Sequence, residues 1–351
     1  MAGPRSGHHY QRARRPHRHG RQATEGVVQM RAAGVARAGG PITLLELPDP
    51  RPLRDGEILL RVHSAGVGNW DELVRTGGWD TGARPPMALG VEAAGTVARV
   101  SRAAPGFQPG DRVATHALPL PDQGCWAELF IAAAAQAAPI PAALPWDVAG
   151  ALPVPALTAD QALTGALGVR PGESVLVHGA GGVTGGLLVQ LATHLGARVI
   201  ATGGPHSMAR LHSLGAASVL DYHQPGWPGQ TRSLTGGGAD AAVNAARAGA
   251  ADALQAVRPG GRLATITGDP PPAERAITVT AVQVQPDGPR LAQLARLFGA
   301  GELGITVGGS FPLDQAGQAL AQVRRGAHGT ALVLRPASPE RGAAASRSSD
   351  P

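Results

Sequence analysis

Gly179, Gly182 and Gly185 recur at intervals of three, directly after an apolar run at 174–178 (SVLVH) and directly before an apolar stretch at 186–195. Three bare backbones at that spacing suit a phosphate-binding turn. Gly179 lets the chain reverse, Gly182 admits a pyrophosphate against the backbone, and Gly185 lets the next helix lie close on the strand. Ala180, Val183 and Thr184 complete the turn. The helix read at 186–195 would offer its first N–H groups and positive dipole end to phosphate oxygens. A second short apolar run, 198–202, follows at the distance that a βαβ unit needs. The chemistry implied is the holding of a dinucleotide.

The elements that must position this turn are also readable. A strand is expected at 218–222, another at 239–244, a helix at 250–257, and strands at 262–267 and 279–285, which gives a doubly wound parallel sheet. Before it, from Met30 to about residue 156, strand and turn patterns dominate: 57–65, 95–100, a turn entering a strand at 107–115, and 125–131. Residues 145–163 read as helix with proline interruptions. After the sheet come helices at 288–298 and 311–323 and a closing strand at 331–334. The expected division is a basic tail at 1–29, a β-rich substrate domain at 30–156 and 288–335, a dinucleotide-binding domain at 157–287, and a loose tail at 336–351.

The net charge of +6 is concentrated in the first 29 residues, where six arginines face Glu25 alone. The rest is close to neutral, so nucleic acid is not the expected partner. Nothing approaches the roughly 18 apolar residues needed to span a bilayer. The lone Cys125 excludes an intrachain disulfide, and a cytoplasmic setting is expected. The chain contains no lysine and only two tyrosines, Tyr10 and Tyr222, so a tyrosine–lysine acid pair is excluded.

Seven segments carry a family resemblance: AGVGNWDELVRTGGW (65–79), PMALGVEAAGTVARV (86–100), FQPGDRV (107–113), ALPVPALTADQAL (151–163), VLVHGAGGVTGG (175–186), SLGAASVLDY (213–222) and PGGRLATITG (259–268). Together they span about residues 30–335 and resemble the medium-chain dehydrogenase/reductase superfamily, in its zinc-free quinone oxidoreductase branch. The resemblance implies an α/β fold, a Rossmann sheet beside a GroES-like β-rich domain, hydride transfer with a nicotinamide cofactor, a small-molecule substrate, and a homodimer in which the strand at 279–285 extends a sheet across subunits. It also places the nicotinamide end near Asn244, Thr267 and Gly268, with Thr158 and Trp79 contributed across the cleft. Trp79 could equally be loop packing.

Cofactor choice is argued from chemistry. An NAD-preferring fold ends its second strand with an acid that accepts from the ribose 2′-OH and repels a 2′-phosphate. Here that end reads Ala201-Thr202-Gly203-Gly204, and no acid is present. Ser207, Arg210 and Tyr222 are the nearby donors, Arg210 having a solvated helix face as its other reading. NADPH is expected.

In zinc-dependent members a Gly-His-Glu segment supplies a metal ligand. Here it is Gly90-Val91-Glu92, and Gly68 or Asn69 occupies the cysteine region. No metal site is expected, and His63 and His116 read as structural. The family's Asn-x-x-Asp loop is displaced: Gly68 takes the usual asparagine position, with Asn69 one place later and Asp71 retained. Asn69 could donate to a developing enolate oxygen or cap the helix at 71–75; Asp71 reads as a cap or anchor before a base. The expected activity is NADPH-dependent reduction of a quinone or α,β-unsaturated carbonyl. The alternative is a nucleotide-binding structural or redox-sensing protein without turnover.

Overall fold

A computed structural model describes residues 29–104, 106–326 and 328–336. The tails expected at 1–29 and 336–351 fall outside it, apart from their innermost residues. The chain opens with β1 (Gln29–Val35) and β2 (Thr43–Pro48), then β3 (Glu57–Val67), α1 (Asn69–Thr76), β4 (Met87–Ala88), β5 (Glu92–Val100), β6 (Arg112–His116), β7 (Leu129–Ala133) and β8 (Ala137–Pro139). In β3 the inward positions Ile58, Leu60 and Val62 are fully buried, and the strand pairs antiparallel with both β5 and β7. The strand expected at 125–131 is shorter. Cys125 and Trp126 lie in a loop whose N–H groups go to the carbonyls of Gly90 and Leu89.

α2 (Trp146–Ala151) and α3 (Pro153–Asp160) fill the stretch read as interrupted helix, with Pro153 at the first position of α3, where no N–H is needed. A π-helical turn, Gln161–Ala166, follows. Next come β9 (Ser174–His178), α4 (Val183–His194), β10 (Arg198–Gly203), α5 (Met208–Ser213), β11 (Ser218–Asp221), α6 (Trp227–Leu234), β12 (Ala239–Asn244), α7 (Ala250–Gln255), β13 (Val257–Thr265) and β14 (Thr278–Ala281). Their six strands form one sheet in the order β11-β10-β9-β12-β13-β14, every pair parallel. From β9 the chain winds outward through β10 to β11, then returns to lay β12 on the other side. The reversal between β9 and β12 opens a crevice at their carboxyl ends.

α8 (Gly288–Gly299) carries the chain back, and β15 (Val307–Pro312), α9 (Ala316–Arg325) and β16 (Ala331–Arg335) end it. β16 lies between β15 and β3, in a seven-stranded sheet with β5, β6, β7 and β8. The helix read at 311–323 is therefore corrected: Phe311 is a strand residue opposite Leu334, and the helix starts at Ala316. β15 escaped notice because Gly308 and Gly309 dilute its apolar pattern. β14 stops at Ala281, four residues before the expected end, since its partner β13 stops at Thr265 and Gln285 turns away to exchange two hydrogen bonds with Gln161.

Candidate functional site

The turn after β9 is built by its backbone. Gly179 has φ of +82°, and a Cβ there would stand 2.6 Å from the Ala246 nitrogen. At Gly185 a Cβ would come 2.3 Å from the Gly179 carbonyl oxygen, so this glycine seats the helix on the turn. Above Gly182 there is open space, its nearest neighbour being the Gly179 oxygen at 3.9 Å. Gly182 is the N-cap of α4 and no side chain caps it, which leaves the first N–H groups, at Val183, Thr184 and Gly185, without intrahelical acceptors. α4 begins three residues earlier than its sequence suggests: packing on Gly179 and Ala180 outweighs the poor helix propensity of Gly185 and Gly186. Ala180 is buried and donates to the Thr202 carbonyl; Thr202 Oγ1 accepts from the Gly179 N–H and bonds His178 Nδ1 at 2.8 Å. Val183 packs against a small apolar cluster of Ala151, Ala331 and Val333.

At the end of β10, Gly203 is closely covered by side chains: a Cβ would meet Ser207 Oγ at 2.5 Å and Leu211 Cδ1 at 2.6 Å. An acid at this position would require Ser207 and Leu211 to shift. An acid stands nearby all the same: Asp221 ends β11 as the register partner of Gly203, which the sequence reading, confined to one strand end, overlooked. Ser207 Oγ donates to the Gly204 carbonyl (2.9 Å) and Arg210 Nη2 to the Gly181 carbonyl (2.6 Å). Arg210 has no carboxylate partner among the described residues, and burial lowers its pKa. Tyr222 is 48% exposed beyond Gly204.

At the carboxyl ends of β12 and β13, Asn244 is fully buried and its side chain is spent inward. Its Nδ2 faces the Ala246 carbonyl, Thr265 Oγ1 and Thr267 Oγ1, and its Oδ1 accepts from the Ala246 N–H. Asp269, absent from the sequence reading, organises this cluster by accepting from Thr265 (2.8 Å) and Thr267. Burial alone would raise the Asp269 pKa, but these hydroxyls bring it below the usual carboxylate range. Thr267 and Gly268 remain exposed, whereas Asn244 braces the strand ends from beneath.

The substrate-side residues fall into separate environments. Asn69 is the exposed first residue of α1, and it does not cap the helix. Gly68 is the N-cap, and Asp71 Oδ2 accepts from the Gly68 N–H at 2.8 Å. The displaced asparagine has a packing cause: a Cβ on Gly68 would lie 2.1 Å from the Trp70 ring. Asp71 is fully buried, and burial pushes its carboxyl up to about 8 against the pull of the Gly68 and Gly90 N–H groups. Glu92 is buried too and accepts from the Val154 N–H (2.7 Å); burial raises it, the Asp71 charge adding to the shift. Thr158 is nearly buried and its hydroxyl donates to the Val154 carbonyl at 2.7 Å. Trp79 lines a cavity of about 250 Å³ whose walls all come from residues 38–87, such as Val74, Ala83 and Met87, so it is not brought to the glycine turn.

His63 stacks on Trp146 with centroids 4.3 Å apart and bonds Thr96, His116 donates through Nδ1 to the Val91 carbonyl, and burial lowers both pKa values. Among the described residues no three His, Cys, Asp or Glu side chains could share a metal ion. No helix among them is long and apolar enough to cross a membrane.

Two family signatures match: an alcohol dehydrogenase GroES-like domain over residues 54–142 and a zinc-binding dehydrogenase over residues 214–334. The spectinabilin polyketide synthase system protein NorB of Streptomyces orinoci is 36% identical over 234 residues, which is 65% of this chain and 10% of that protein. The quinone oxidoreductase of Homo sapiens is 30% identical over 213 residues (59% of this chain, 63% of that protein), and a trans-enoyl reductase of Alternaria alternata is 34% identical over 221 (59% and 63%). The chain thus spans less than two thirds of the length of these curated relatives. Among solved structures, an NAD-dependent alcohol dehydrogenase is 30% identical with a TM-score of 0.78, and a mycobacterial protein complexed with NADPH is 29% identical with a TM-score of 0.76; each is covered completely by 88% of this chain. A mycobacterial quinone oxidoreductase is 31% identical with a TM-score of 0.75 and is likewise covered completely by 88% of this chain. With the glycine turn at the switch point of a parallel sheet beside a GroES-like β domain, these likenesses show that the chain belongs to the medium-chain dehydrogenase/reductase superfamily, as a quinone oxidoreductase-like member.

Proposed function

We propose that the chain is an NADPH-dependent reductase that delivers hydride to a quinone or an α,β-unsaturated carbonyl without zinc. The observation that carries the reading is the open space over Gly182 beneath the unpartnered N–H groups at the head of α4. There the residues fit a pyrophosphate: bare backbone, oriented donors and a dipole of the right sign. NADPH, when bound, supplies a hydride from its nicotinamide ring. Thr267 and Gly268, exposed at the end of β13, would hold the nicotinamide end, with Asn244 and Asp269 fixing that segment from behind. Asn69 is the exposed amide of the substrate loop and would donate to the oxygen on which charge develops, while water or a cofactor hydroxyl returns the proton. Asp71, buried and bonded to Gly68, positions that turn and does not act as a base. The trans-enoyl and quinone reductase relatives support a conjugated acceptor, and the mycobacterial complex supports NADPH. We further assign residues 30–156 and 288–335 to the substrate half and 157–287 to the cofactor half of a cytoplasmic homodimer.

A nucleotide-binding protein without turnover is the second reading, favoured by the inward commitment of both Thr158 and Asp71. NADPH oxidation, followed by the near-ultraviolet absorbance of the reduced nicotinamide, is expected with members of a panel of quinones and enones and not with simple alcohols. Confirmed NADPH binding with no oxidation across the panel would support the second reading. Stoichiometric zinc, required for turnover in a chain starting at Met30, would overturn the zinc-free assignment.

A further inference from the structure

The rim beyond β10 holds a charged pair that the cofactor reading leaves unused. His223 follows the end of β11, and Asp221 Oδ1 accepts from both its backbone N–H (3.0 Å) and its ring Nδ1 (2.7 Å). The imidazole side chain is 54% exposed and that of Asp221 is 22% exposed. A side chain starting at Gly204 would begin 3.4 Å from His223 Cε1 and 3.8 Å from Tyr222 Oη. Gly204 directly follows β10, where a Rossmann fold meets the adenosine ribose. Of the expected phosphate donors, Ser207 gives its hydroxyl hydrogen to the Gly204 carbonyl and Arg210 commits one N–H to the Gly181 carbonyl, while Tyr222 stands exposed beside His223.

We propose that His223, seated on Asp221, sets the preference between NADPH and NADH, so that this preference changes with the charge of the imidazole. The inference rests on the cofactor reading above. With a neutral ring the rim carries the single negative charge of Asp221, which repels a 2′-phosphate and suits ribose hydroxyls. A protonated ring cancels that charge and leaves Nε2–H free to donate to a phosphate oxygen. The groups around the ring are Asp221 on its own turn, the Tyr222 ring at a centroid distance of 4.1 Å, and the Gly204 backbone; the turn Pro205–Ser207 adds the exposed His206. Asp221 is held below the usual carboxylate range by the His223 N–H and ring, so it keeps its charge at both pH values of the test below.

The test is calorimetric binding of NADPH and NADH to the full chain at about pH 7 and about pH 9, both above the ~6 at which a phosphate monoester takes its second charge. The ratio of the two dissociation constants cancels any titration common to both cofactors. We expect NADPH to be favoured about two- to fivefold more at the lower pH, the range of an exposed ion pair. His223→Gln is expected to abolish that dependence and hold the ratio at its high-pH value, and Asp221→Asn to raise the ratio at high pH. A preference for NADPH that is independent of pH, or that survives His223→Gln unchanged with its pH dependence, would overturn the role of His223 and leave the cofactor reading standing. Equal binding of both cofactors at both pH values would overturn both.

Discussion

The turn at 179–185 and the turn at 68–71 each lead from a strand into a helix, yet they are held by different means. At Gly179 and Gly185 an added Cβ would strike backbone, the Ala246 nitrogen and the Gly179 oxygen. At Gly68 and Gly66 it would strike side chains instead, the Trp70 ring at 2.1 Å and Glu92 Oε1 at 2.2 Å. The first turn keeps its helix N–H groups for a ligand, whereas the second gives its N-cap amide to the buried Asp71. A site made of backbone must be exact in main-chain path and is indifferent to its neighbours' identities. One made of side chains depends on which residues are its neighbours, as Gly68 does on the Trp70 ring.

The largest test of this contrast is Gly185→Ala against Gly182→Ala. The first places a methyl group 2.3 Å from a carbonyl oxygen that cannot yield, and should cost about 3 kcal/mol or more of stability, with cofactor binding lost. Gly182→Ala meets nothing closer than 3.9 Å, so its melting temperature should stay near the native value while NADPH affinity falls at least tenfold. Equal stabilities for the two variants would show that the turn is not backbone-locked. Next in size is Asn69→Ala. If the exposed amide steadies an oxyanion, kcat falls by roughly ten- to a thousandfold with NADPH affinity unchanged. Since Asn69 makes no cap, thermal stability should hold, and an unaltered kcat would remove Asn69 from the chemistry.

A further test concerns Asp71, the buried carboxyl that holds the second turn. Its folded pKa of about 8 lies above the ordinary value of 3.8, so between those limits the folded chain keeps a proton that the unfolded chain has released. Stability must then fall as pH rises through that window. Asp71→Asn keeps an acceptor for the Gly68 N–H and carries no charge. Its advantage over the native chain should grow steadily as pH rises from about 4, where the difference vanishes, to about 8, as read from urea midpoints. A native chain whose midpoint is flat over this range would show that Asp71 is hydrated.

The same contrast explains what the sequence could disclose. The order of the parallel strands and the turn were legible because each signal is local: an apolar run, a glycine spacing, a second run. Asp269 was missed since its importance comes from being brought under Asn244 and Thr267, and Asp221 because it reaches the end of β10 from the next strand. β15 was hidden by its two glycines and by depending on β16 for its pairing. The role of Gly68 became readable only with the Trp70 ring in place.

The pairing of Val67 with Leu332 joins the third strand of the chain to its last. During synthesis the parallel sheet has all its strands once Ala281 has emerged, while the end of β3 at Ala65–Val67, beyond the stretch that β7 covers, waits unpaired on that edge until β16 arrives. An unpaired edge is a template for other chains, and contacts this distant in sequence form slowly. The nascent protein therefore carries a finished parallel sheet behind an unfinished front sheet, and a chain cut short before Ala331 should be prone to aggregate through the exposed end of β3 even though its glycine turn is intact.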